Sequence, residues 1–166
     1  MSGNPYFDRF DPTTNRTMVL FVPGVHAQNS EINEVESILS YYLGELGNII
    51  ADDGDMQTGM NYTKSGNNIT VASGKLYLAG KVRSFSEQTV TIAGTGLETV
   101  GVRLHQQVVT YKDDSSLNDP TVGYEGSGTN GADRLVETVE LVANDSAAAT
   151  IYQFSDGALF KGHSGN

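Results

Sequence analysis

The run NNITVASGKLYLAGKVRSF, residues 67–85, alternates apolar and polar side chains on either side of Ser73 and Gly74. Successive residues of a strand point to opposite faces, so a period of two predicts half-buried β-strands around a turn at Ser73 and Gly74. Gly80 then interrupts the second strand, where a bulge or kink is expected. The same period holds from Met56 onward. QTVTIAGTG (88–96) and LETVGVRLHQQVVTY (97–111) read as strands parted by a Gly94-Thr95-Gly96 turn, and RLVETVELVAN (134–144) and ATIYQFSDG (149–157) read as the last two. The fold class that follows is α+β, mostly β: an antiparallel β-sandwich or barrel-like domain over residues 54–160, closed by a polar tail, KGHSGN, at 161–166. No fixed-period repeat occurs, which argues against solenoids and propellers.

Upstream the pattern changes. In EINEVESILSYYLGELGNII, residues 31–50, the residues Ile32, Val35, Leu39, Tyr42, Leu46 and Ile49 are spaced 3, 4, 3, 4 and 3. That is a heptad seam, and it predicts a helix over 30–53 that can meet two sibling helices in a three-fold bundle. Ser30 is the expected N-cap, Glu31 and Glu34 favour the positive end of the dipole, and Asp52, Asp53 and Gly54 supply the stop. Ile38, Leu43 and Ile50 widen the stripe, so the domain's own sheet is an alternative partner for the same helix. Gly44 and Gly47 weaken an isolated helix by about 1 kcal/mol each, so it needs a surface to lie on.

Residues 1–29 form an extended aromatic arm. Tyr6, Phe7 and Phe10 cannot bury themselves in so short a segment; they pack on the body of the protein or on a neighbour. TMVLFVPG (17–24) follows as a short strand or extended segment ending at Pro23 and Gly24.

Composition narrows the function classes. The 166 residues suit one domain with a real core, and 10 basic against 20 acidic residues give a net charge of -10, which repels phosphate backbones and anionic lipid. Nucleic acid and membrane insertion are therefore not expected partners. The chain has no cysteine, which removes disulfides, thiolate metal sites and Cys nucleophiles. The opening residues lack a basic region leading into a long apolar core, and MVLFV (18–22) is too short to span a bilayer.

Catalytic and cofactor motifs find little support. Gly126, Gly128 and Gly131 have the spacing of a dinucleotide fingerprint, but a polar loop precedes them and a β-patterned run follows, where a strand and a helix are required. His26, His105 and His163 lie far apart, without a metal-ligand companion, and His105 falls on the strand face opposite Leu104. No Gly-x-Ser-x-Gly elbow exists, so no enzyme activity and no cofactor are expected. The loop KDDSSLNDPTVGYEGSGTNGAD (112–133) is too long for a mere connection. Its Asp113, Asp114, Asn118 and Asp119 are oxygen donors in no calcium-loop spacing, and Tyr111 and Tyr124 are candidate stacking rings for a carbohydrate or receptor.

Several stretches together resemble a family of structural proteins from tailed bacteriophages and prophages, met as the N-terminal module of tail-fibre or baseplate-associated proteins. They are YFDRFDP (6–12), VLFVPG (19–24), EINEVESIL (31–39), DGD (53–55), VASGKLYLAGKVR (71–83), GTGLETVGVRL (94–104), DDSSLNDPTVG (113–123) and NGADRL (130–135). The resemblance covers nearly the whole chain. It implies a virion component without catalysis: a homotrimer that attaches a fibre to the baseplate or tail, or an adaptor to which a further fibre protein docks at the C-terminal end. Tyr6, Phe7 and Phe10 would then be the tail-docking arm, and residues 32 to 49 of the seam the oligomer contact.

Overall fold

The computed structural model describes residues 6–123, 125 and 127–162. Among the described residues the protein is mostly β with one α-helix near the N-terminus, as the periodicities predict. The helix is α1 (Asn29–Asn48), and the ten strands are β1 (Met56–Gly59), β2 (Tyr62–Ser65), β3 (Asn68–Val71), β4 (Gly74–Leu78), β5 (Lys81–Phe85), β6 (Gln88–Thr91), β7 (Leu97–Val109), β8 (Arg134–Ala143), β9 (Ala149–Ser155) and β10 (Ala158–Gly162). They form three antiparallel sheets, ordered β1-β4-β5, β2-β3-β6 and β10-β9-β7-β8. No closed barrel forms among the described residues.

One apolar core joins the sheets. Ile69 and Val71 of β3, Leu76 and Leu78 of β4, Val100 and Val102 of β7, and Ile151 and Phe154 of β9 meet there with Met60 and Phe85. Side-chain amides and charges stitch the layers where the sheets meet. The Gln88 amide behaves like a peptide group, donating to the Val139 carbonyl at 2.8 Å and accepting from the Leu141 N–H at 2.9 Å along the outer edge of β8. Arg83 donates to Glu137 at 2.7 Å, tying β5 to β8, and this hydrogen bond holds the Glu137 carboxyl below its ordinary pKa.

Several sequence expectations shift here. Ser73 and Gly74 do not make a hairpin: β3 and β4 lie in different sheets, and Gly74 instead faces Gly59 of β1, where a Cβ would come 2.2 Å from the Thr58 carbonyl oxygen. Gly80 is not a bulge in a continuing strand. Ala79 and Gly80, both at positive φ, form the two-residue turn of the β4–β5 hairpin, the backbone twist that such turns require. Asp156 and Gly157 do the same between β9 and β10. As a result Lys161 and Gly162, expected in the polar tail, belong to β10, while His163 lies outside the described residues. The 18–22 run joins no sheet and leads into a turn in which the Val25 N–H donates to the Val22 carbonyl at 3.2 Å.

The helix ends also move. Gln28, not Ser30, is the N-cap: its N–H donates to the Glu31 carboxylate at 2.8 Å, closing the first turn with the side chain of the third helical residue. The helix stops at Asn48 with Ile49 as C-cap, before the acidic turn, so the last seam residue sits at the helix boundary. No helix among the described residues is long and apolar enough to cross a membrane.

Candidate functional site: the outward face of the helix

β4 positions the helix. Leu76 and Leu78 point into the core, and alternation sends Tyr77 between them to the other face, beneath α1. Its hydroxyl donates to the Gly44 carbonyl at 3.1 Å or to the Asn48 side-chain oxygen at 2.8 Å, and burial raises the phenol pKa. Gly47 lies against this ring. A Cβ there would stand 2.3 Å from the Tyr77 hydroxyl, so the glycine read as a weakness in the sequence is what lets the helix approach. Gly44 meets the backbone of Gly80 in the β4–β5 turn.

The face turned to the body is therefore small and polar. Its buried residues are Glu34, Ile38 and Gly44, with Ser30, Ser37 and Tyr41 half-buried around them. The apolar stripe points the other way: Ile32, Val35, Leu39, Tyr42, Leu46 and Ile49 are 41% to 83% exposed. Of the three flanking residues, only Ile38 reaches the body; Leu43 and Ile50 stay exposed beside the seam. A helix usually sinks its apolar stripe into its own core, whereas this one presents it to solvent. Contiguous exposed apolar surface of this kind marks an interaction site.

The arm lies along one edge of the helix. Asn33 donates to the Phe7 carbonyl at 3.2 Å, Ser37 donates to the Asp8 carboxylate, and Phe10 packs on Tyr41 with ring centroids 5.4 Å apart. Residues 33, 37 and 41 are successive i, i+4 positions, one row of the helix surface. Tyr6 donates to Asp133 at the foot of β8, an acceptor that raises the tyrosine pKa. Of the candidate docking rings, Phe10 is thus half-buried on its own helix, while Phe7 and Tyr6 remain exposed.

The long loop is organised by its own carboxylates. Asp113 accepts from the Thr110 N–H at 3.0 Å, Asp114 from Ser116 at 2.9 Å and Asp119 from Thr121 at 2.8 Å, and these hydrogen bonds lower all three pKa values. The acids cap separate turns, and among the described residues no group of three or more His, Cys, Asp or Glu converges on a metal position. His26 and His105 are exposed. Tyr111 is half-buried beneath the Lys112 ammonium, whereas Tyr124 and Gly126 lie outside the described residues. A shallow cleft opens between Asn118, Asp119, Thr129, Asn130 and Arg134, and the buried Asn118 side-chain oxygen there has no hydrogen-bond partner among the described residues.

The sequence reading missed the helix seat formed by Gly44, Gly47 and Tyr77. A signal was present: Ser30, Ser37 and Gly44 recur every seven residues opposite the apolar seam, the mark of a close-packed second face.

Among known proteins, no curated sequence matches the chain. A solved structure described as the crystal structure of TssK is similar at a TM-score of 0.45 and 13% identity, over 86% of this chain and 40% of that one. The chain thus spans less than half the length of that protein. A family model matches residues 4–165, and the protein belongs to that family, described as Domain of unknown function (DUF4815).

Proposed function

We propose that this protein is a non-catalytic structural module of a bacteriophage virion, one that assembles as a homotrimer and joins a tail fibre, or a fibre adaptor, to the baseplate or tail. The observation that carries the reading is the outward apolar stripe of α1. Burying a large apolar side chain contributes about 1.5–3 kcal/mol, and each chain offers six along one seam, enough to drive association through the helix. Seam chemistry favours three strands over two. Leu39 and Leu46 share the first core position of the heptad with Ile32, and Val35 and Ile49 share the second with Tyr42; leucine at the first and β-branched residues at the second disfavour parallel dimers.

The resemblance of the chain to tail-fibre attachment modules supports the virion setting, and the exposed Phe7 ring and the edge of Tyr6 suit contact with a tail protein. Gold-labelled antibody against the chain should decorate the tail of purified particles. Particles that contain no copy of the chain would overturn the assignment.

A second reading, a receptor- or carbohydrate-binding β-domain, draws on the cleft lined by Asn118, Asp119, Thr129, Asn130 and Arg134, polar side chains of the kind that orient a sugar. Glycan-array binding that disappears in Asn118→Ala would support it; an array silent for the intact protein would remove it.

A further inference from the structure

A second apolar surface lies beside the seam. Glu36, Leu43 and Ile50 recur every seven residues, and Leu43 and Ile50 are 57% and 69% exposed although neither occupies a seam position. In a bundle closed along the seam this column would line the outer groove between neighbouring helices. Among the described residues the chain also carries an uncovered apolar segment. Met18, Leu20, Phe21, Val22 and Val25 are all more than half exposed, on backbone that joins no sheet and turns between Val22 and Val25.

We infer that residues 18–25 of each chain cross to a neighbouring copy and lie against Leu43 of that copy's α1 and Ile50 just beyond its end. This inference rests on the trimeric reading and names what fills the groove beside its seam.

Charge selects this partner. Residues 12–30 contain no acidic residue and carry Arg16 and His26 at the two ends of the apolar run. The helix contains four glutamates and no basic residue, has none in its last turn, and is followed by the exposed Asp52 and Asp53. An unopposed negative helix end followed by acids is a site for a cation. In a parallel arrangement, a segment leaving one helix start and running along a neighbour would bring Arg16 to that negative end and His26 near Glu36.

Distances permit the crossing. Leu20 is nine residues before Asn29, a reach of up to about 30 Å once the turn between Val22 and Val25 is drawn out. Leu43 lies about 21 Å along a helix from its start, on a neighbour about 8–10 Å away. Left uncovered, this apolar run would be open to nonspecific association.

The absence of native cysteine makes the test clean. Chains bearing Leu20→Cys and chains of different tag length bearing Leu43→Cys are mixed, refolded together and oxidised in air, with light scattering run on the same sample. The expected result is a covalent heterodimer of the two tag lengths on a non-reducing gel, reduced several-fold when Arg16→Glu is added to the first chain. Both substitutions are at exposed positions, so folding is checked by circular dichroism against the parent. A doubly substituted chain that closes its disulfide only within itself overturns the crossing. So does a trimer that cross-links through Leu39→Cys along the seam yet forms no bond between Leu20→Cys and Leu43→Cys; in that case the trimeric reading survives. A monomer by light scattering overturns both.

Discussion

Gly44 and Gly47 lie one turn apart in the same helix, yet alanine at the two positions should act in opposite directions. At either site, alanine removes backbone entropy from the unfolded chain and raises helix propensity, a gain of about 0.5–1 kcal/mol. At Gly44 the new Cβ meets the Gly80 Cα at 3.5 Å and the Gly80 carbonyl oxygen at 3.9 Å, both ordinary contacts, so the gain should appear in full. At Gly47 it meets the Tyr77 hydroxyl at 2.3 Å and ring carbons at 2.8 and 2.9 Å. Tyr77 is held between β4 and α1 and cannot rotate away without leaving the Gly44 carbonyl and Asn48. Overpacking costs about 1–3 kcal/mol and a lost hydrogen bond about 1 kcal/mol, which exceeds the helical gain. The expected outcome is a net loss of about 1–3 kcal/mol for Gly47→Ala against a small gain for Gly44→Ala. For a chain of this size each kcal/mol moves the melting temperature by about 2–4 °C. Thermal unfolding of both variants at one protein concentration reads the difference, and hydrogen exchange over α1 locates it. If Gly47→Ala stabilises as much as Gly44→Ala, the close seating of the helix on Tyr77 is wrong.

Two other perturbations probe the β-domain. Phe154 is fully buried where the sheets meet, so Phe154→Ala should destabilise by about 3–5 kcal/mol in urea unfolding, and a loss below about 1 kcal/mol would contradict its central place. Glu98 is buried and accepts from the Ala93 N–H at 2.6 Å, the Gly94 N–H at 2.7 Å and Asn144 at 3.2 Å; the first of these bonds is the main cause of its lowered pKa. A carboxyl whose folded pKa lies below its unfolded value of 4.5 contributes stability that is complete above that value and disappears as pH falls through the folded pKa. The melting temperature should therefore fall less steeply with acidification below pH 4.5 in Glu98→Gln than in the parent, and parallel curves would refute the role.

How much of this was legible depends on range. Periodicity acts locally, and it located the helix and most of the strands, because side-chain alternation is written residue by residue. Sheet membership is not local. Nothing in VASGKLYL distinguishes a hairpin turn at Ser73 and Gly74 from a crossing between two sheets; the difference lies in Gly59, which occupies the space opposite. β10 escaped because Asp156 and Gly157 read as the end of the pattern, although Asp-Gly at positive φ is equally a hairpin turn. The helix stripe was legible as a spacing, but its direction was not. Whether Leu39 or Ser37 faces the body is decided by Tyr77 on β4, which the sequence places 40 residues beyond Ser37. The arm illustrates the same limit: the aromatic residues were visible, while the row of Asn33, Ser37 and Tyr41 that receives them was concealed within a helix read for its apolar side.

In the proposed trimer α1 turns its apolar stripe outward to meet two other copies. Light scattering on the intact protein at micromolar concentration should give three times the 17.8 kDa chain mass, and the double substitution Leu39→Asp with Leu46→Asp, both exposed in the single chain, should give one chain mass with an unchanged circular dichroism spectrum. A parent that runs as a monomer, or a doubly substituted protein that keeps the trimer mass, contradicts the account.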